Sequence, residues 1–229
     1  MDDNKEILKL SNIYKSYKSK NETIVILSKC SISFESGKFY AIMGHSGSGK
    51  STLINILGLI DNDYSGEYEF FGKKLSDCNE NTISCFRFEK IGFVFQDFLL
   101  NDNLKAYENV MIPMLINKSI LPKDRKEKTL ELLERVGMKN RYNHYPKELS
   151  GGEKQRVAVA RAIANNPDII LADEPTGNLD EHNEQEIFEL LKNISNSGKC
   201  VIVVSHSNEV KKYADRVLKI NEGRVEVIK

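Results

Sequence analysis

Short apolar runs recur along the chain at residues 39–43 (FYAIM), 91–95 (IGFVF), 169–172 (IILA), 201–204 (VIVV) and 217–220 (VLKI). Runs this brief, rich in β-branched residues and continuous rather than alternating, suit strands buried on both faces, as in a parallel sheet. Between several of them lie patterns with helical spacing, such as residues 52–59 and 153–164. The rhythm predicts an α/β core built on a mostly parallel sheet.

The N-terminal part reads differently. Residues 7–14, 24–27, 31–34 and 67–71 look like shorter, half-exposed strands around turns such as Glu35-Ser36-Gly37-Lys38, which predicts a small antiparallel β subdomain beside the core. From about residue 97 to 147 the strand signal vanishes. Residues 123–136 read as a charged amphipathic helix with Leu130, Leu133 and Val136 apolar and Gly137 as its stop. This predicts an inserted α-helical subdomain, about residues 97–150, within a single α/β unit spanning residues 1–229. No internal repeat, low-complexity tract or proline-rich linker marks a second domain.

Directly after the first core run comes GHSGSGKST: Gly44, His45, Ser46, Gly47, Ser48, Gly49, Lys50, Ser51 and Thr52. Gly44 to Ser51 fits the G-x-x-x-x-G-K-[ST] pattern, placed after a strand and before a helix as its chemistry demands. The glycines let the backbone curl until successive N–H groups point inward as an anion nest, and the following helix aims its positive end at the same point. Lys50 can then reach terminal phosphates, and the Ser51 hydroxyl can ligate Mg²⁺.

A second stretch, PDIILADEPTGNLD, places Asp173 and Glu174 at the end of a buried strand. Carboxylates beside so much apolar surface are costly unless a metal or hydrogen bonds compensate them. Beside a phosphate cradle, Asp173 is expected to partner Mg²⁺ and Glu174 to accept a proton from the water attacking a γ-phosphate. A third stretch, LSGGEKQRVAVARAIA, carries Ser150 and Glu153 at capping-box spacing. Capping gives no reason for Gly151 and Gly152 in the first turn, where each costs about 1 kcal/mol relative to alanine. An anion approaching the exposed N–H groups would explain both glycines.

Charge and cysteine content narrow the reading. With 33 basic and 33 acidic residues the formal net charge is zero, so the summed field offers no general attraction for nucleic acid or an anionic membrane. Cys30, Cys78, Cys85 and Cys200 form no CxxC pair and are expected to be reduced packing residues. The acidic start MDDNKEILKL is unlike a secretory signal, and no stretch approaches the roughly 18 apolar residues of a membrane span, so a soluble chain is expected.

Together these stretches resemble the nucleotide-binding subunit of ATP-binding-cassette (ABC) transporters, over nearly the whole chain. GHSGSGKS is similar to its Walker A motif, IILADE to its Walker B and LSGGE to its signature. Gln96 in GFVFQDF matches the Q-loop, Asp180 in GNLD the D-loop, His206 in VVSHS the switch histidine, and Tyr17 in YKSY the aromatic that stacks on adenine. The resemblance implies a head-to-tail pair of subunits. ATP held by residues 44–52 of one would be sandwiched by Ser150, Gly151 and Gly152 of the other, with Glu153 and Asp180 nearby. Ser51, Gln96 and Asp173 would surround Mg²⁺; Lys50, Gln96, Glu174 and His206 would serve catalysis. It also implies an integral membrane permease as partner, no nucleic acid, and a peripheral position on the cytoplasmic face of the membrane.

Within the superfamily, IGFVFQ, LKAYENVMIPM, PKELSGGE and ILADEPTGNLD resemble the subgroup of lipoprotein-release, macrolide-export and antimicrobial-peptide-resistance ATPases. The chain departs from the subgroup at His45, where proline is frequent, and at GNLD, where an alanine-containing form is usual. Neither departure removes a catalytic group. A non-transporting signalling or cell-division ATPase would use the same machinery. An ABC ATPase acting on nucleic acid would need tandem cassettes or a long coiled coil, and a nucleotide kinase would leave LSGGE and His206 without a role.

Overall fold

The structure, a computed structural model, describes residues 5–18 and 22–229. Along them run β1 (Glu6–Lys18), β2 (Thr23–Glu35), β3 (Phe39–Met43), α1 (Lys50–Leu57), β4 (Ser65–Phe70), β5 (Lys73–Lys74), α2 (Glu80–Lys90), β6 (Ile91–Phe95) and α3 (Ala106–Leu115). There follow α4 (Arg125–Arg135), α5 (Gly151–Ala162), β7 (Ile169–Asp173), α6 (Glu181–Asn196), β8 (Cys200–Val204), β9 (Arg216–Asn221) and β10 (Arg224–Val227).

One sheet of six strands has the order β10-β9-β3-β8-β7-β6, with every neighbour parallel except β10 against β9. A second sheet, β2-β1-β4-β5, is antiparallel. Because side chains alternate along a strand, β3 and β8 feed two cores at once. Tyr40, Ile42, Ile202 and Val204 join α1 and the smaller sheet through Leu53, Leu57, Leu8 and Phe70. Phe39, Ala41, Val201 and Val203 join α6 through Ile187, Phe188 and Leu191. Every residue of β8 is buried, which accounts for its unbroken apolar composition.

A third core holds the helical region: Ala106, Val110 and Met114 of α3, Leu133 of α4, and Val157 and Ala160 of α5. Val159 of α5 packs instead with the sheet, so this one helix ties the helical region to the strands.

The expected architecture is present, with local differences. Residues 24–27 and 31–34, expected as two strands, belong to the single strand β2. Its pairing with β1 slips at several points and Lys29 takes φ 54°, so a polar kink interrupts the pattern without ending the strand. Helices α2, α3 and α6 and strand β10 lie outside the elements expected from sequence. In α3 an internal Pro113 masks the helix, and α2 buries only Ile83, too little for a readable stripe. Gly137 does end α4, at φ 74°.

Candidate nucleotide site

Strands β3, β8 and β7 are adjacent and parallel, with Ile42 opposite Val204 and Val204 opposite Asp173. Their C-terminal ends therefore deliver three loops to one edge of the sheet, where ligands of open α/β sheets bind. The first is the Gly44–Thr52 loop. Gly49, the residue before α1, sits at φ 100°, a conformation strained for any other residue, and a β-carbon there would meet Ile26 at 2.9 Å. No side chain caps α1, so its first N–H groups stay available at the helix's positive end.

Lys50 is almost wholly buried, and its Nζ lies 3.0 Å from the Gly44 carbonyl, 3.1 Å from that of His45 and 3.1 Å from His206 Nε2. Burial draws the ammonium below its ordinary value, against the opposing pull of Glu174 and Asp173. The loop thus holds its own cation against two of its backbone carbonyls. Around it, His45, Ser46, Gly47 and Ser51 are exposed, Thr52 is half-buried, and Ser48 is buried with an unpartnered Oγ. His45 Nδ1 lies 2.7 Å from the Ser46 carbonyl, so that nitrogen carries the proton.

The second loop starts at Asp173, the last residue of β7. Burial pushes its carboxyl above the ordinary range, partly offset by the Ser51 hydroxyl and the Lys50 ammonium. Glu174 adopts φ 46°, a left-handed conformation that costs a non-glycine residue about 1–3 kcal/mol and concentrates at functional sites. Its Oε2 accepts from the backbone N–H of His206 at 3.1 Å, and its Oε1 faces His206 Nε2 at 3.2 Å. Asp173 Oδ1 and Glu174 Oε1 are both buried without a hydrogen-bond donor. The orphaned Asp173 oxygen, on a carboxylate beside the Ser51 hydroxyl, fits Mg²⁺, which prefers oxygen ligands and usually shares itself between one or two carboxylates and substrate phosphates. No group of three or more His, Cys, Asp or Glu among the described residues could hold a metal alone.

The remaining sequence-predicted residues lie on other segments of the chain. Gln96, just past β6, turns its amide toward Asn178 Oδ1 at 3.5 Å, while Asn178 Nδ2 donates to the Gln96 carbonyl at 3.3 Å. Asp180 caps α6, its Oδ1 accepting from Asn183 N at 2.9 Å. Ser150 caps α5: its Oγ accepts from Glu153 N at 3.3 Å, and Glu153 Oε2 accepts from Ser150 N at 2.9 Å. Glu153 also pairs with Arg141 at 3.2 Å, so its role within the chain is the cap. Tyr17 stands half exposed at the end of β1.

The structure adds a packing reason for one glycine of α5. A side chain at Gly152 would overlap Asn183, which Asp180 grips through three hydrogen bonds. Gly152 therefore has a packing reason of its own, whereas a side chain at Gly151 would meet Leu179 at 3.2 Å. Both helix starts, α5 and α6, abut here.

Sequence reading also missed residues. Arg161, largely buried on α5, donates to the carbonyls of Phe98 and Leu99, two successive left-handed residues at φ 59° and 49° after Gln96. Thr176 Oγ1 donates to Glu184 Oε1 at 3.0 Å and fastens the segment after Glu174 to α6. A charged residue amid the small apolar positions of α5 was the available signal for Arg161.

Residues 27–177 match the family described as ABC transporter. The chain is 43% identical over 219 residues to the uncharacterized ABC transporter ATP-binding protein MJ1508 of Methanocaldococcus jannaschii, covering 96% of this chain and 97% of that one. It is 40% identical over 220 residues to the macrolide export ATP-binding/permease protein MacB of Bdellovibrio bacteriovorus, of which it spans 33%. Among solved structures it is similar to a dimer of the ATP-binding cassette MJ0796 bound to ADP and Pi, in a post-hydrolysis state. That match has a TM-score of 0.87 and 39% identity, over 97% of this chain and 99% of the other. The cradle at Lys50, the carboxylates at Asp173 and Glu174 and these matches lead to one conclusion: the chain belongs to the ABC transporter family, as one of its ATP-binding cassettes.

Proposed function

We propose that two copies of this chain clamp ATP between them, hydrolyse it to ADP and phosphate, and thereby drive a separate membrane permease that exports or removes peptides, lipoproteins or drugs. The convergence of Lys50, His206 and Glu174 within 3.2 Å, at the edge where three strands end, carries the reading. When ATP arrives, Lys50 leaves the Gly44 and His45 carbonyls for the terminal phosphates, an exchange of neutral for charge-assisted hydrogen bonds. Glu174 Oε1, which lacks a donor, accepts a proton from the water attacking the γ-phosphorus as the bond to the bridging oxygen breaks. His206, released by Lys50, donates toward the γ-phosphate and holds that geometry.

Mg²⁺, held by Ser51, Asp173 and Gln96, would neutralise charge developing on the phosphate oxygens. Ser150, Gly151 and Gly152 at the start of α5, with Asp180 before α6, meet the nucleotide of the second copy, and Tyr17 stacks on adenine. The chain acts as one unit in which residues 97–150 form a helical arm. Arg161 and the Phe98–Leu99 turn, next to Gln96, give that arm a direct link to the site.

No helix among the described residues is long and apolar enough to cross a membrane. In this reading the permease is a separate partner, and the chain works on the cytoplasmic face. Relatives named as macrolide exporters with an attached permease support the export direction. Glu174→Gln should lower ATP turnover by about 10²–10⁴-fold while ATP binding persists. Wild-type turnover in that variant would remove Glu174 from the proton-accepting role.

A further inference from the structure

Lys15 falls on the same face of β1 as Ile13, the phase that points into the core, and is only 3% exposed. A buried ammonium needs partners. Its Nζ donates to Asp61 Oδ1 at 2.9 Å, to the Asp63 carbonyl and, at 3.3 Å, to the exposed Asp63 carboxylate. Burial alone would lower the ammonium, yet the two carboxylates more than reverse this and hold it above its ordinary value. The cluster pins the end of β1 to the segment that follows α1, the helix of the phosphate cradle.

Two residues on, Tyr17 presents its ring to the same cluster. Lys15 Nζ sits 5.0 Å from the ring centroid, and the Tyr17 hydroxyl lies 3.4 Å from Asp61 Oδ2. One ring face is thus supported by a cation and the ring's tip by a carboxylate, while about half of the residue remains open to solvent. An exposed aromatic with nothing behind it would sample several rotamers and lose entropy on stacking; one propped at two points is preorganised.

We propose that Lys15, clamped by Asp61, is a positioning residue that fixes the Tyr17 ring for stacking against the adenine of ATP. The proposal rests on the reading of Tyr17 as the adenine platform and adds the device that orients it. A plain structural staple between β1 and the α1–β4 connection would weaken every ligand of the cradle alike. A positioning device weakens only ligands that carry a base.

The test is the ratio of dissociation constants for ATP and inorganic tripolyphosphate in four proteins: the parent, Lys15→Met, Tyr17→Ala and the double variant. Losing the orientation of a stacked base forfeits part of the stack, so Lys15→Met should weaken ATP about five- to tenfold and leave tripolyphosphate within about twofold. In the Tyr17→Ala background Lys15→Met should have no further effect, since the two act through one contact. Lys15→Arg should keep the parent ratio. Equal weakening of both ligands, unchanged ATP affinity, or a Lys15→Met effect that persists without Tyr17 overturns the proposal. If Tyr17→Ala itself leaves the ratio unchanged, the adenine-platform reading falls first, and the proposal with it. Should Lys15→Met fail to fold, Asp61→Ala carries the same test, because Asp63 still neutralises the ammonium; the same selective loss of ATP is expected.

Discussion

His206 Nε2 stands 3.1 Å from Lys50 Nζ. The same nitrogen lies 3.2 Å from Glu174 Oε1. A neutral imidazole nitrogen either accepts or donates, so the bond to Lys50 and a bond to Glu174 exclude one another. The histidine consequently reports whether the cradle's lysine is occupied with its own loop or with phosphate. His206→Ala should cut turnover by about 10²-fold or more while ATP affinity moves only a few-fold. Steady-state ATPase rates set beside equilibrium binding of ATP check this split; equal losses in both would make His206 a binding residue only.

Asp173 gives a pH-dependent stability of unusual sign. Its folded value lies above the ordinary 3.8, so its contribution is fully present below that pH and is lost as pH rises through the folded value. Removing the charge removes the loss. Ligand-free Asp173→Asn should therefore melt higher than the parent at neutral pH, by on the order of 2 °C, with the advantage gone below the ordinary carboxylate value. Asp215 behaves oppositely. Despite its burial, Lys192 at 2.8 Å and the Phe39 N–H at 2.8 Å hold it below 3.8, so its stabilisation is lost as pH falls through its folded value. Thermal melts across pH, in parent, Asp173→Asn and Asp215→Asn, test both signs.

Gly152 separates packing from ligand contact. Gly152→Ala should destabilise the fold, because the added methyl overlaps the fixed Asn183 side chain. Pairing it with Asn183→Ala should recover part of that stability through a favourable coupling between neighbours. If the exposed N–H groups at the start of α5 also meet nucleotide, ATPase activity should stay low in the rescued double variant. Melting temperature and turnover, measured on the same three proteins, distinguish the two roles.

Much of this arrangement was legible in the sequence, for physical reasons that differ by residue. The strands feeding the site were readable because burial on both faces forces continuous apolar runs such as Cys200–Val204. The cradle was readable because few side chains tolerate its backbone. Lys15 and Asp61 were not, since a lysine among alternating strand residues reads as solvated until a carboxylate from the segment after α1 is placed against it. The packing reason for Gly152 was hidden for the same reason: the side chain that excludes a methyl there arrives from α6, about thirty residues on, and local cost arguments cannot see it.

The sequence contains no tryptophan, which makes Tyr17 directly observable. Tyr17→Trp keeps a flat aromatic surface and introduces a single indole. ATP should change its emission through stacking, whereas tripolyphosphate should leave it nearly unchanged. An identical response to both ligands would place the adenine elsewhere.

The account depends most on a second copy completing the site. Glu174→Gln, mixed with ATP and weighed by sedimentation, should double in mass, and should return to one copy when ATP is withdrawn or Ser150 is replaced by a bulky residue. A Glu174→Gln protein that binds ATP tightly yet stays at the mass of one chain at every concentration would contradict the clamp.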